Sequence, residues 1–87
     1  MGAVRAIERG RAHQHRHALE RLRERYLPDA EHADLIAIRD LARERAIGLK
    51  ALDGQDVRHV FVRYRGELMR VVYCPRFDAV RTILPLR

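Results

Sequence analysis

The residues best suited to chemistry in this chain are histidines and arginines near its N-terminus. His17, Arg21 and Arg25 follow one another at i, i+4 and i+8, and on a helix that spacing sets them along one side. An imidazole has the right pKa range for proton transfer near neutrality. Guanidinium groups beside it can bind a phosphodiester and stabilise the charge of its transition state. Metal-free RNA cleavage needs that set: a base for the 2′-hydroxyl, an acid for the leaving oxygen, and cations for the phosphorane. Thr82, Tyr64 and Tyr73 are hydroxyl donors that can orient the phosphate. The same spacing also has a plain structural reading, in which His17 is an exposed helix residue and both arginines pair with Glu20 and Glu24. On spacing alone that plain reading is the stronger.

His13, His15 and His17 raise metal binding. His13 and His17 share a helix face while His15 points away. Two imidazoles on one face can hold zinc, but a site needs a third ligand and usually a fourth. No cysteine or carboxylate is evidently placed to complete it. The expectation is no metal and no cofactor.

Eighty-seven residues make one domain. Eighteen Lys plus Arg against twelve Asp plus Glu give a net charge of +6, and all the cations but Lys50 are arginine. The arginine fork suits phosphate and stacks on bases, so a polyanion is the expected partner. A bland reading stands beside it, since arginine-rich composition also follows from GC-rich coding. The lone Cys74 excludes an internal disulfide, and as a strand residue it reads as a buried, inert thiol. No apolar run approaches the twenty residues of a membrane span and no apolar segment follows Met1. The chain is therefore expected to be cytoplasmic, with no membrane partner.

The elements that must position these residues are two helices and a sheet. Residues 1–11 read as a basic arm, residues 12–47 as two helices and residues 49–85 as antiparallel sheet. Ala18, Leu19, Leu22 and Tyr26 recur at helical steps, and Pro28 ends that helix. Asp29 is the expected N-cap of a second helix over about 30–47, with Leu35, Ile38, Leu41 and Ala42 as its buried stripe. Gly48 is placed to terminate it. Leu49 to Leu52 is short and apolar, a possible first edge strand before the Asp53-Gly54 turn.

From Val57 to Leu84 the chain reads as three antiparallel strands in a meander. With Arg65-Gly66 as a two-residue loop, Tyr64 faces Glu67, Val62 faces Met69 and Val60 faces Val71. With Pro75 to Asp78 as a four-residue loop, Tyr73 faces Val80 and Val71 faces Thr82. Alternation then puts Val60, Val62, Tyr64, Met69, Val71, Tyr73, Val80, Thr82 and Leu84 on a core face. The opposite face carries His59, Phe61, Arg63, Leu68, Arg70, Val72, Cys74, Ala79, Arg81 and Ile83, which sets Arg63, Arg70 and Arg81 beside His59 and Phe61 as a cationic surface with an aromatic in it. Helices first and strands after, without βαβ alternation, give an α+β fold with the two N-terminal helices packed on a three- to four-stranded meander.

Two segments carry a resemblance. H-A-L-E-R-L-R-E-R-Y at His17 to Tyr26, with R-V-V-Y-C-P-R-F-D-A-V-R-T-I-L-P at Arg70 to Pro85, is similar to small phage and mobile-element proteins. Those proteins open with a His-Ala…Glu-Arg…Glu-Arg helix and close with a V-V-Y…V-x-T-x-L-P hairpin. They belong with the barnase, EndoU, colicin-tRNase and RelE superfamily of metal-independent ribonucleases and toxins. The resemblance spans about His17 to Pro85. It implies that His17 is the catalytic histidine, that Arg21 and Arg25 bind phosphate, and that Thr82 is a polar member of the site. Tyr73 matches the tyrosine of the V-V-Y strand. The chain departs from the pattern at Cys74, where such proteins commonly carry Asp, and at Arg81, where an apolar residue is usual.

Two functions follow as expectations. The first is an RNA-binding, ribonuclease-like toxin or phage effector acting by 2′-hydroxyl transesterification. Its RNA or phosphate contacts would be Arg25, Arg63, Arg70, Arg81, His59, Phe61 and Tyr73, and a cognate antitoxin would be its protein partner. The second is a non-catalytic interaction protein that binds and inhibits a host protein or defence complex. Neither reading fixes an oligomeric state.

Overall fold

A computed structural model of the chain describes residues 15–49 and 56–86. The expected basic arm and most of the expected strand at 49–52 lie outside these residues; Leu49 itself is not in a strand. The described chain has two helices followed by a three-stranded antiparallel sheet, an α+β fold.

The first helix, α1, is helical from residue 15, where description begins, to residue 25. Its apolar stripe does what the spacing requires: Ala18 and Leu22 are fully buried, with Leu19 and Tyr26 packed partly against the core. The helix closes before Pro28, with the Tyr26 and Leu27 amides both donating to the Leu22 carbonyl. Arg23 donates to the Ala30 carbonyl at 2.7 Å, which fixes the connection to the second helix.

That helix, α2, spans His32–Ala46. The expected cap, Asp29, is not its cap. Glu31 holds the extended N-cap position, and its amide donates to Asp34 Oδ2 at 2.9 Å in a reciprocal capping box. Two carboxylates satisfy the first free amides better than one, and Asp29 instead pairs with Arg65 at 2.9 Å. Leu35, Ile38, Ala42 and Ala46 form the buried stripe, with Leu41 packed against it. Gly48 has φ +83°, the left-handed conformation that ends helices and favours glycine.

The strands are β1 (Arg58–Tyr64), β2 (Glu67–Cys74) and β3 (Ala79–Leu84), in the spatial order β1-β2-β3. Arg65 and Gly66 both have positive φ, +51° and +80°, which is the type I′ geometry that matches the twist of a two-residue hairpin. The register of β1 on β2 is as the loop length predicts, including Tyr64 with Glu67 and Val60 with Val71.

The register of β2 on β3 departs from the expectation halfway. Tyr73 faces Val80, but Val72 pairs with Thr82 and Val71 with Ile83. Arg81 has no partner residue: it is the extra residue of a β-bulge. Beyond it every side chain of β3 changes face. Ile83 is consequently fully buried in the core, in the place expected for Thr82, while Thr82 and Leu84 are half-buried. The exchange buries a large aliphatic group and avoids burying a hydroxyl, which is the cheaper arrangement.

Both helices pack on one sheet face. One cluster joins Ala18 and Leu22 of α1, Leu35, Ile38 and Ala42 of α2, and Val60, Val62, Met69, Val71, Tyr73, Val80 and Ile83 of the sheet. Among the described residues, the buried apolar groups of the other face form a small cluster at one end, Val57, Val72 and Cys74 with Phe77 and Leu84 packed against them. Cys74 is buried and free, as its strand position implies. Among the described residues no helix is long and apolar enough to cross a membrane.

Candidate nucleic-acid interface and histidine sites

An outer strand presents unpaired carbonyls and amides, and α1 supplies donors to one side of β3. Arg25 Nη1 donates to the Ile83 carbonyl, and the Tyr26 hydroxyl donates to the Leu84 carbonyl at 2.5 Å. Two turns earlier, His17 Nε2 lies 3.2 Å from Thr82 Oγ1. The imidazole and the threonine implied by the resemblance therefore meet across this seam, although the bulge takes Thr82 off the core face. Arg21 does not join them. It pairs with Glu24 at 2.7 Å on the helix surface, as the plain reading of the spacing holds. Arg25 is engaged in holding the strand edge, so its guanidinium is only in part available to a phosphate.

Tyr73 cannot serve as an RNA contact. It is 4% exposed within the core, and its hydroxyl donates to Asp78 Oδ1 at 2.6 Å. Burial, together with that carboxylate, holds the phenol above its ordinary pKa. Tyr64 is likewise engaged, donating to Asp34 Oδ1 at 2.7 Å, and the carboxylate raises its pKa.

The remaining candidates share the sheet face that no described helix covers. Phe61 is paired directly with Arg70, His59 with Val72, and Arg63 with Leu68. Phe61 is 58% exposed, large for an aromatic on a strand. His59, Phe61, Arg70 and Leu84 line a shallow cleft of about 90 Å³. Arg70 also donates to the Pro85 carbonyl at 3.2 Å, which aims its side chain along the strand ends. Arg63 and Arg81 are exposed. The ion pairs among the described residues gather elsewhere, at Arg21, Arg39, Arg43, Arg65 and Arg76. None of them involves Arg63, Arg70 or Arg81. This face thus combines cationic groups lacking a described acidic partner with an open aromatic ring.

Two further arrangements escaped the sequence reading. Asp78, at the end of the β2–β3 turn with φ +49°, accepts from Arg43 Nε at 2.8 Å as well as from Tyr73. The Arg43 guanidinium lowers its carboxyl to about 2, and the carboxylate in turn raises Arg43. Nothing in the P-R-F-D run announced a link to a helix residue 35 positions earlier.

His32, at the first turn of α2, was also missed. Its Nδ1 lies 2.6 Å from Nε2 of His15 on α1, with ring centroids 4.3 Å apart. Burial, with the neighbouring His32 second, pushes the His15 imidazole below its usual pKa. The pair stands at a cleft of about 260 Å³ lined also by Leu35, Ile36, Arg39, Phe77 and Val80. Sequence showed His15 only as the member of a triplet pointing away from its neighbours. Comparison with protein-family models, with curated proteins and with solved structures gives no match.

Proposed function

We propose that this protein binds single-stranded RNA on the open face of its sheet. The observation that carries this reading is Phe61, more than half exposed beside Arg70 on a face whose arginines enter no ion pair among the described residues. Exposed aromatic rings stack on bases whatever the sequence, and flanking cations track the phosphates. His59 and Arg63 extend the surface along β1, and Arg81 extends it at the bulge of β3.

The test is fluorescence anisotropy of a labelled single-stranded RNA across a salt series. Affinity is expected to fall linearly on a log–log plot, as counterion release requires. Phe61→Ala should weaken binding by about 5- to 150-fold, the equivalent of about 1–3 kcal/mol of stacking per base. Phe61 is exposed, so the fold should survive. Absence of binding at low salt, or wild-type affinity in the variant, would remove this face from the function. Absence of binding would leave the protein-inhibitor reading, with an acidic host protein as partner.

A second reading, cleavage by a ribonuclease-like toxin, is supported by the 3.2 Å contact of His17 with Thr82 and by the resemblance. His17 would act as general base or acid on a bound phosphodiester. Arg21 would have to leave Glu24, which is feasible because exposed pairs of this kind contribute about 1 kcal/mol or less. RNA degradation in EDTA that disappears in His17→Ala, with RNA binding retained, is the expected result. Undiminished cleavage in that variant would take His17 out of the chemistry.

A further inference from the structure

We propose that His15 and His32 form a two-histidine site for a divalent transition-metal ion such as zinc or nickel, at the mouth of the cleft between the helices and the β2–β3 turn. The two ring nitrogens face each other at 2.6 Å. The proton shared between the two facing nitrogens can move to the free outer nitrogen of its own ring, a change of tautomer that releases no proton, so that Nε2 of His15 and Nδ1 of His32 both offer lone pairs to a metal ion while each outer nitrogen carries a proton.

The geometric change required is small. An ion held tetrahedrally at roughly 2.0–2.1 Å from each nitrogen separates them by about 3.3 Å. The facing nitrogens must therefore part by about 0.7 Å and turn so that both lone pairs converge on the ion. They are carried by separate helices, α1 and α2, that are locked together through the buried Ala18, Leu22, Leu35 and Ile38. Packing thus brings the two imidazoles together before any ion arrives. Chelation then loses less freedom than capture by two independent side chains.

The donor set selects the ion class. Imidazole nitrogen suits zinc, nickel and copper, whereas magnesium and calcium prefer oxygen. No group of three or more ligating side chains occurs among the described residues, so the pair falls short of the three or four protein ligands that hold a resident zinc ion; it is a weak, exchangeable chelate with water in the remaining positions. The adjoining cleft has room for those waters. Asp78, in the same cleft, partly offsets the charge of Arg39 but is itself held by Arg43 and Tyr73. This site is independent of the RNA-binding face.

Isothermal titration of the full chain with zinc chloride and with nickel chloride tests the assignment. One equivalent should bind, and magnesium should give no heat. His15→Ala and His32→Ala should each weaken binding at least 10-fold. The double variant should bind no more weakly than either single one, because a chelate needs both rings. His32 is exposed, so its replacement should leave the circular dichroism unchanged. Imidazole nitrogen shifts of both residues on adding zinc give a second measurement that needs no variant. Failure of the wild-type chain to bind either ion, full affinity in either single variant, or strictly additive losses would overturn the proposal. Loss of binding in His17→Ala with none in His32→Ala would overturn it too, by moving the ion to another histidine.

Discussion

Replacing Asp78 by Asn should destabilise the protein at neutral pH and hardly at all in strong acid. Asp78 closes the β2–β3 turn and joins it to α2 through Arg43 and to the core through Tyr73. Asn keeps the side-chain shape and tolerates the left-handed backbone at φ +49°, so the substitution removes the charge and little else. Lowering the carboxyl from 3.8 to about 2 corresponds to about 2.4 kcal/mol at full linkage. The side chain is 44% exposed, and solvent screening reduces an ion pair of that kind to about 1 kcal/mol. A loss of about 1 kcal/mol lowers Tm by about 4–8 °C in a domain of this size.

The sign follows from the depressed carboxyl. Its contribution is complete above the unfolded value of 3.8 and disappears as pH falls through about 2. Urea unfolding followed by circular dichroism, at intervals from pH 7 to pH 2.5, should show the wild-type and Asp78→Asn curves converging below pH 4. A difference that stays constant with pH, or none at pH 7, would refute the reasoning. It would mean that the ion pair is fully screened.

Three further outcomes rest on single contacts. Tyr26→Phe removes the hydroxyl that donates to the Leu84 carbonyl and should cost about 0.5–1.5 kcal/mol. Hydrogen exchange should quicken along β3 in that variant. Leu22→Ala empties a fully buried position between α1 and the sheet and should cost about 2–5 kcal/mol by chemical denaturation, a large share of the stability of a domain this small. Gly66→Ala sets a Cβ in open space, since no atom lies within 4 Å, but at φ +80°. The loss should therefore be backbone strain alone, about 1–2 kcal/mol, and Gly66→Asn should be milder in thermal melts.

Much of the fold was legible because its signals are local. The stripe Ala18, Leu22 and the stripe Leu35, Ile38, Ala42 recur with the helical period, and each is buried. The Arg65-Gly66 loop permits only one tight hairpin, and the β1–β2 register follows from it. The open aromatic face was legible for the same reason: alternation from a fixed turn puts His59, Phe61, Arg63 and Arg70 on one side.

The failures each involve a choice between nearby alternatives that only distant neighbours decide. The cap is Glu31, in its reciprocal box with Asp34, rather than Asp29, which pairs with Arg65 of the β1–β2 turn. The bulge at Arg81 is invisible in a run of alternating residues. It arises because the core between α1 and β2 accepts Ile83 better than Thr82, and one unmatched residue exchanges them.

The amino-acid order by itself determined two helices, a three-stranded meander, and a positively charged face bearing Phe61. Period and turn chemistry act over a few residues and need no partner. Which polar groups meet was decided only by the tertiary structure: His17 with Thr82 across 65 positions, Arg43 with Asp78 across 35, His15 with His32 across 17. Hydrogen bonds and imidazole pairs reach only a few ångströms, so they exist once the packing of apolar surfaces has fixed where each backbone lies.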